Sequence, residues 1–433
     1  MTGEVSARRR REIIDALRRG VVPTNGLDAL AVGLERFVAA TDDELSRVAG
    51  GGSVFKAVRG EYGAGKTFFT RWLAERAKRH GFATSEVQIS ELETPLHRME
   101  TVYRRMTDHL TTEQFAPSAL RPVLDGWIFA LEEDVLAGGA VAEDDGPALD
   151  QAVGDLMEQR LTDISRSTPA FAAGLRGYRT ATAEADQATA SGLAAWLGGQ
   201  PHVAASARRA AGVKGDLDHF GALNFLQGLL TVLRDSGNPG LLLVLDEVET
   251  LQRVRSDARD KALNALRQFV DDIYAGRFPG LFLVITGTPA FFDGPQGAQR
   301  LAPLAQRLAT DFGSDARWDN PRATQIRLPG FDIERLVELG MKVRDLYGSP
   351  RVASVDDVYV RELARAVTGR LGGKVGVAPR VFLKKLVADV LDRVDQFDDF
   401  DPRQHYQLTV RSDELSEVER NAATSADEIR LQM

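Results

Sequence analysis

The chain has 433 residues, a formal net charge of −8, 43% apolar and 27% charged residues, and no cysteine. Such a chain is globular and long enough for two or three domains, which excludes a disordered or fibrous protein. The missing thiols exclude disulfides, thiol catalysis and cysteine-ligated zinc, and they fit a reducing cytoplasm. An acidic balance argues against a chain coated in basic surface, though not against a local DNA-binding patch.

The N-terminal stretch MTGEVSARRRREIIDALRRG is basic but lacks a following apolar core, so it does not read as a secretory signal. Residues 8–20 read as a helix with Ile13, Ile14 and Leu17 on one face, broken at Gly20-Val21-Val22-Pro23. A second helix is expected where Leu27, Leu30, Leu34 and Phe37 recur at helical spacing. After Gly50-Gly51-Gly52, the run Val54–Val58 reads as a buried strand. Past a glycine-rich loop, Phe68, Phe69, Trp72, Leu73 and Ala77 mark one face of a helix ending near Gly81. Strand, loop and helix in that order open a βαβ unit.

A strand at Ala83–Ile89 and helices at Leu96–His109 and Pro117–Leu136 follow. Residues 137–215 are rich in Ala, Gly, Ser and Thr, and read as a helical insertion that decorates the fold rather than forming its core. Phe225–Leu233 restores helical structure, and Gly240–Leu245 is a continuous apolar run of the kind found in central parallel strands. A helix at Lys261–Ile273 precedes a second such strand, Leu281–Ile285, and Thr324–Leu328 is a third, polar enough for an edge. Helices at 332–347, 356–370 and 379–396 form a small domain, and the tail is assigned no fold. The domains are therefore 1–330 for nucleotide binding, 331–400 for a helical lid, and 401–433 unassigned. No run of about 18 apolar residues exists, so no membrane span is expected.

Gly60-Glu61-Tyr62-Gly63-Ala64-Gly65-Lys66-Thr67 matches G-x4-G-K-[ST] throughout. Glycines at those places let successive backbone N–H groups converge on phosphate, and the helix start adds partial positive charge. The stretch Gly60–Phe68 is thus expected to bind ATP, with Lys66 on the β- and γ-phosphates and the Thr67 hydroxyl on Mg2+. Asp246-Glu247, at the tip of the Gly240–Leu245 strand, would supply the second metal ligand (Asp246) and a carboxylate that polarises the attacking water (Glu247). Thr286 and Thr288, after the next strand, are candidates for contact with the γ-phosphate or the water. Arg380 opens a lid helix and is a further candidate. An arginine acting on a neighbouring subunit's nucleotide belongs between the Leu281 and Thr324 strands, where Arg300, Arg307, Arg317 and Arg322 qualify, and Arg307 is the choice. Arg8–Arg11, Arg208-Arg209 and Lys214 are basic features for DNA contact, or solvated helix faces. The six histidines, at 80, 97, 109, 202, 219 and 405, are scattered and show no metal-binding spacing.

Together these motifs resemble an AAA+ ATPase, of the branch that holds origin-recognition and transposition-helper proteins. The resemblance implies an α/β fold: a five-stranded parallel sheet flanked by helices, with a strand between the glycine-loop strand and the Asp-Glu strand, and a small C-terminal helical lid. It makes Val22-Pro23 the lining of the adenine pocket, Thr288 or Thr286 the first sensor and Arg380 the second. More narrowly, REIIDALRRGVVPTNGLDALAVGLERF, FKAVRGEYGAGKTFF, EVQISELETPLHRMETVYRR, LLLVLDEVETLQR and NPRATQIRLPGFD resemble the ATP-binding protein of bacterial BREX phage-defence systems. That resemblance implies self-association through the ATP site and defence partners such as a helicase-like protein or a methyltransferase, acting on DNA. The insertion departs from the general AAA+ pattern, and the 401–433 tail is expected to be too short for a winged-helix DNA-binding domain. Two uses of ATP stay open: an assembly or remodelling factor acting on DNA, and a nucleotide-gated switch that binds protein partners without DNA.

Overall fold

A computed structural model describes residues 5–371 and 379–410, apart from 140, 143 and 314, together with Leu415. The rest of the tail from 411 lies outside the described residues, as do Val377 and Ala378. The five strands are β1 (Val54–Arg59), β2 (Ala83–Gln88), β3 (Leu241–Asp246), β4 (Leu281–Gly287) and β5 (Gln325–Arg327). They form one parallel sheet in the order β2-β3-β4-β1-β5. β4 therefore separates the glycine-loop strand from the Asp-Glu strand, and β5 lies at an edge.

The apolar runs of β3 and β4 reflect coverage on both faces. Alternate residues point to opposite sides of a strand, so Leu241, Leu243 and Leu245 join one core while Leu242 and Val244 join another. The second core is closed by α2 (Glu35–Ala49) and α3 (Lys66–Arg79). Leu27, Leu30, Leu34 and Phe37 are all buried, but not on one helix. A single 3-10 turn, Leu27–Leu30, comes first, and the chain then bends at Gly33 before α2 begins.

The first core is larger. It gathers α4 (Met99–Asp108), α5 (Leu120–Ala137), α6 (Gly146–Ser167), α7 (Pro169–Ala183) and α8 (Gln187–Leu197). The short α9 (Ala205–Ala210) and then α10 (His219–Asp235) and α11 (Ser256–Tyr274) follow. The segment expected to decorate the fold is core instead. Phe171, Tyr178, Leu193 and Leu197 are fully buried. The rings of Tyr103, Phe171 and Trp196 each meet Phe225 of α10 edge-on at 5.1–5.9 Å. Removing one such ring costs about 3–5 kcal/mol, so the insertion is integral to stability.

Beyond β4 come α12 (Pro289–Asp293) and α13 (Ala302–Leu308). The third core lies in the C-terminal helices expected to form the lid: α14 (Ile333–Tyr347), α15 (Asp357–Arg370) and the helix that runs as α16 (Pro379–Lys384), a π-helical stretch (Lys385–Leu391) and α17 (Asp392–Gln396). The N-terminal helix α1 (Ala7–Arg18), read from sequence with the nucleotide-binding domain, packs here. Its Ile13, Ile14 and Leu17 enter the lid core. Arg18 Nε and Nη2 donate to Asp392 at 2.6 and 2.8 Å, and Tyr347 Oη donates to the same carboxylate at 2.9 Å. Among the described residues no helix is long and apolar enough to cross a membrane.

Candidate nucleotide site

The glycine loop joins the C-terminal end of β1 to the start of α3, beside the ends of β3 and β4. Gly63 and Gly65 take φ of 81° and 87°, a left-handed conformation that residues with a Cβ disfavour. That geometry turns the chain sharply enough for α3 to begin at Lys66 with its first N–H groups free of helical partners. Gly60 N donates to Gly287 O of β4 at 3.1 Å, fixing the loop to the neighbouring strand.

Lys66 is buried, and its Nζ donates to Gly60 O at 2.9 Å and to Glu61 O at 3.4 Å. Thr67 Oγ1 donates to Asp246 Oδ2 at 3.3 Å, so residues 179 apart in the chain meet at one point. The other Asp246 oxygen accepts from the hydroxyl of Thr286. Glu247 is left-handed (φ 61°), which ends β3, and its N–H bonds Asp246 Oδ1 at 3.2 Å and Thr286 Oγ1 at 3.1 Å. Thr286, wholly buried, is thereby committed to orienting Asp246. Thr288 precedes α12 and is also buried. Neither threonine lines the cavity described next.

That cavity has a volume of about 530 Å3, within the range of small-molecule sites. Tyr62–Phe68, Asp246 and Glu247 line one end, whereas Gly60 and Glu61 are not part of the lining. The other end is apolar. Leu17, Val21, Val22, Pro23, Leu30, Val32 and Leu34 reach it from the N-terminal segment, and Leu339 and Leu383 from the lid region, while Phe331 lies against the glycine loop, 3.8 Å from where a Cβ on Gly65 would stand. Arg335 and Arg380, both from the lid, also line it. Helix α3 holds the N-terminal wall in place: Glu75 accepts from the N–H groups of Gly26 and Leu27 at 2.9 and 2.8 Å, and Trp72 Nε1 donates to Asp28 at 2.7 Å. The helix that starts at the glycine loop thus also positions the opposite end of the cavity.

Sequence reasoning missed several members of the site. Gln88, at the end of β2, donates to Glu247 Oε2 at 2.9 Å. Glu249 lines the cavity, is buried, and has Lys66 as its ion-pair partner at 3.8 Å. Burial pushes its carboxyl above the usual range, against the pull of Lys66. The signal for it was local: a 3-10 turn, Val248–Gln252, brings the third residue past Asp246 back to the same side. Phe331, Arg335 and Leu339 gave no comparable signal.

The structure does not bring Arg307 to this site. Its Nε is paired with Asp271 of α11, and its Nη1 donates to Pro303 O at 2.8 Å. Arg300 pairs with Asp260, Arg317 with Asp315 and Arg322 with Asp43. Of the basic features, Arg8 pairs with Glu12 and Arg208 lies 3.9 Å from Asp216, while Arg209 and Lys214 are exposed.

A hydroxyl and a carboxylate are hard oxygen donors that suit Mg2+, which keeps water and phosphate oxygens in most of its coordination positions. Among the described residues no group of three or more His, Asp or Glu side chains stands ready to enclose a metal. The donor set therefore fits an open ion shared with phosphates rather than a protein cage.

No curated protein matches the chain. A family model described as "BREX system ATP-binding protein BrxC/D" matches residues 5–410, and the chain belongs to that family. Its members bind ATP in a phage-defence system.

Proposed function

We propose that this member of the BREX ATP-binding family is a Mg2+-dependent ATPase of the AAA+ class, whose nucleotide state governs assembly with itself and with DNA-acting defence proteins. The observation that carries the reading is the 3.3 Å contact between Thr67 and Asp246 beside the glycine loop, with Glu247 next to it. Mg2+ held by Thr67 and Asp246 would neutralise charge on the phosphates. Lys66 would exchange its loop carbonyls for phosphate oxygens. Glu247, turned into the site by its left-handed backbone, would orient the attacking water and take its proton. Thr286 would hold Asp246 in place, and Gln88 would steady Glu247. Thr288 remains a candidate for contact with the γ-phosphate or the water. Arg380 would report the γ-phosphate to the lid, which is how hydrolysis would change subunit geometry. Arg307 would serve a neighbouring subunit only after leaving Asp271.

The reading is tested with Glu247→Gln. This variant should bind ATP, lose nearly all turnover, and accumulate as an oligomer in ATP when followed by light scattering. Wild-type turnover would remove Glu247 from the chemistry, and an ATP-independent mass in both proteins would remove assembly. A second reading is a switch that binds proteins and no DNA, in keeping with the net charge of −8. Binding to duplex DNA that falls steeply with salt would favour the first reading over the second.

A further inference from the structure

Glu249 is a buried carboxylate at the phosphate-facing end of the cavity that the chemistry above does not use. It is 5% exposed and lines the cavity. Among the described residues, no other residue donates a hydrogen bond to either of its oxygens. A desolvated carboxylate left in that state is costly, so it calls for a partner or a purpose. Its charged neighbour is Lys66, with Nζ 3.8 Å from Oε1. The same amine is folded back onto Gly60 O at 2.9 Å and Glu61 O at 3.4 Å, inside the loop that carries it. Three carboxylates, Asp246, Glu247 and Glu249, thus face the cavity near a single lysine. Asp246 has a hydroxyl on each oxygen and Glu247 has Gln88, whereas Glu249 has the lysine alone.

We propose that Glu249 acts as a built-in competitor of phosphate, drawing Lys66 back onto its loop and weakening the hold on nucleotide so that it exchanges readily. This rests on the nucleotide reading given above. The physical basis is charge. An anion about 4 Å from a cation in a partly dry site cancels much of that cation's field at the phosphates, and it repels them directly. Even the weak interaction expected in bulk water corresponds to about a fivefold change in affinity. A glutamate that instead aimed Lys66 at phosphate would make the opposite prediction, since its loss would weaken binding.

The test titrates ATP, ADP and adenosine into the full chain as wild type, Glu249→Gln and Lys66→Ala. Glu249→Gln should bind ATP and ADP about fivefold or more tightly, release ADP correspondingly more slowly, and leave adenosine unchanged, because adenosine carries no phosphate. Glu249→Asp, which keeps the charge, should stay near wild type, and Glu249→Ala carries the same prediction as the glutamine variant should that protein fail to fold. Unchanged or weaker ATP binding by Glu249→Gln, with binding still lost in Lys66→Ala, overturns the competitor role and leaves the nucleotide site standing. An equal gain for adenosine also overturns it, since packing rather than charge would then be responsible. Wild-type ATP binding that ignores Lys66→Ala overturns both readings.

Discussion

The two ends of the cavity are built on different plans. The end beside the glycine loop is polar and comes from the tips of β1 and β3, which flank β4, so that a contiguous loop and an Asp-Glu pair project into one crevice. The apolar end has no such local origin. Its walls are the segment after α1 and residues of the lid, held together by Glu75, Trp72 and the Arg18–Asp392 pair. The polar end is therefore rigid with the sheet, while the apolar end depends on the lid staying docked. A ligand that spans both would tie the lid to the sheet, which is what a nucleotide-controlled assembly requires.

Ligands with and without phosphates separate the two ends. The largest effect is expected for Lys66→Ala, which should lower ATP affinity by about a hundredfold or more while sparing adenosine. Isothermal titration with both ligands checks it, and equal losses would mean that the lysine acts through the fold. A smaller effect, on the order of fivefold, is expected for Val22→Ala at the apolar end. There ATP and adenosine should weaken alike, because apolar contact with the base serves both. Loss confined to ATP would move the base elsewhere.

The polar end was legible because its signal is contiguous and chemically narrow. Gly60–Thr67 is a single motif, and Asp246-Glu247 follows an apolar run whose coverage on both faces could be read from Leu241–Leu245. The lid helices were legible from their periodicity, and the observed spans Ile333–Tyr347 and Asp357–Arg370 lie within two residues of the sequence reading. What periodicity does not carry is the partner. The face of Ile13, Ile14 and Leu17 shows that α1 is amphipathic, but only the fold assigns it to a lid more than 300 residues away.

The insertion misled for a different reason. Its Ala and Gly content reads as loose structure, yet small residues are what close helix packing demands. A Cβ at Gly177 of α7 would lie 2.5 Å from the Ala211 Cβ, and Phe171 packs beside Gly228 of α10. Glu249 was missed because an acidic residue in a charged turn reads as solvated, whereas the 3-10 turn buries it.

Thr67 and Asp246 should together hold one ion under a triphosphate. The structure of Glu247→Gln determined with ATP and Mg2+ tests it most directly. The cation should lie between the Thr67 hydroxyl and the Asp246 carboxylate, with Lys66 turned from its loop carbonyls to the phosphates. A nucleotide bound elsewhere, or a cation that touches neither side chain, would contradict it.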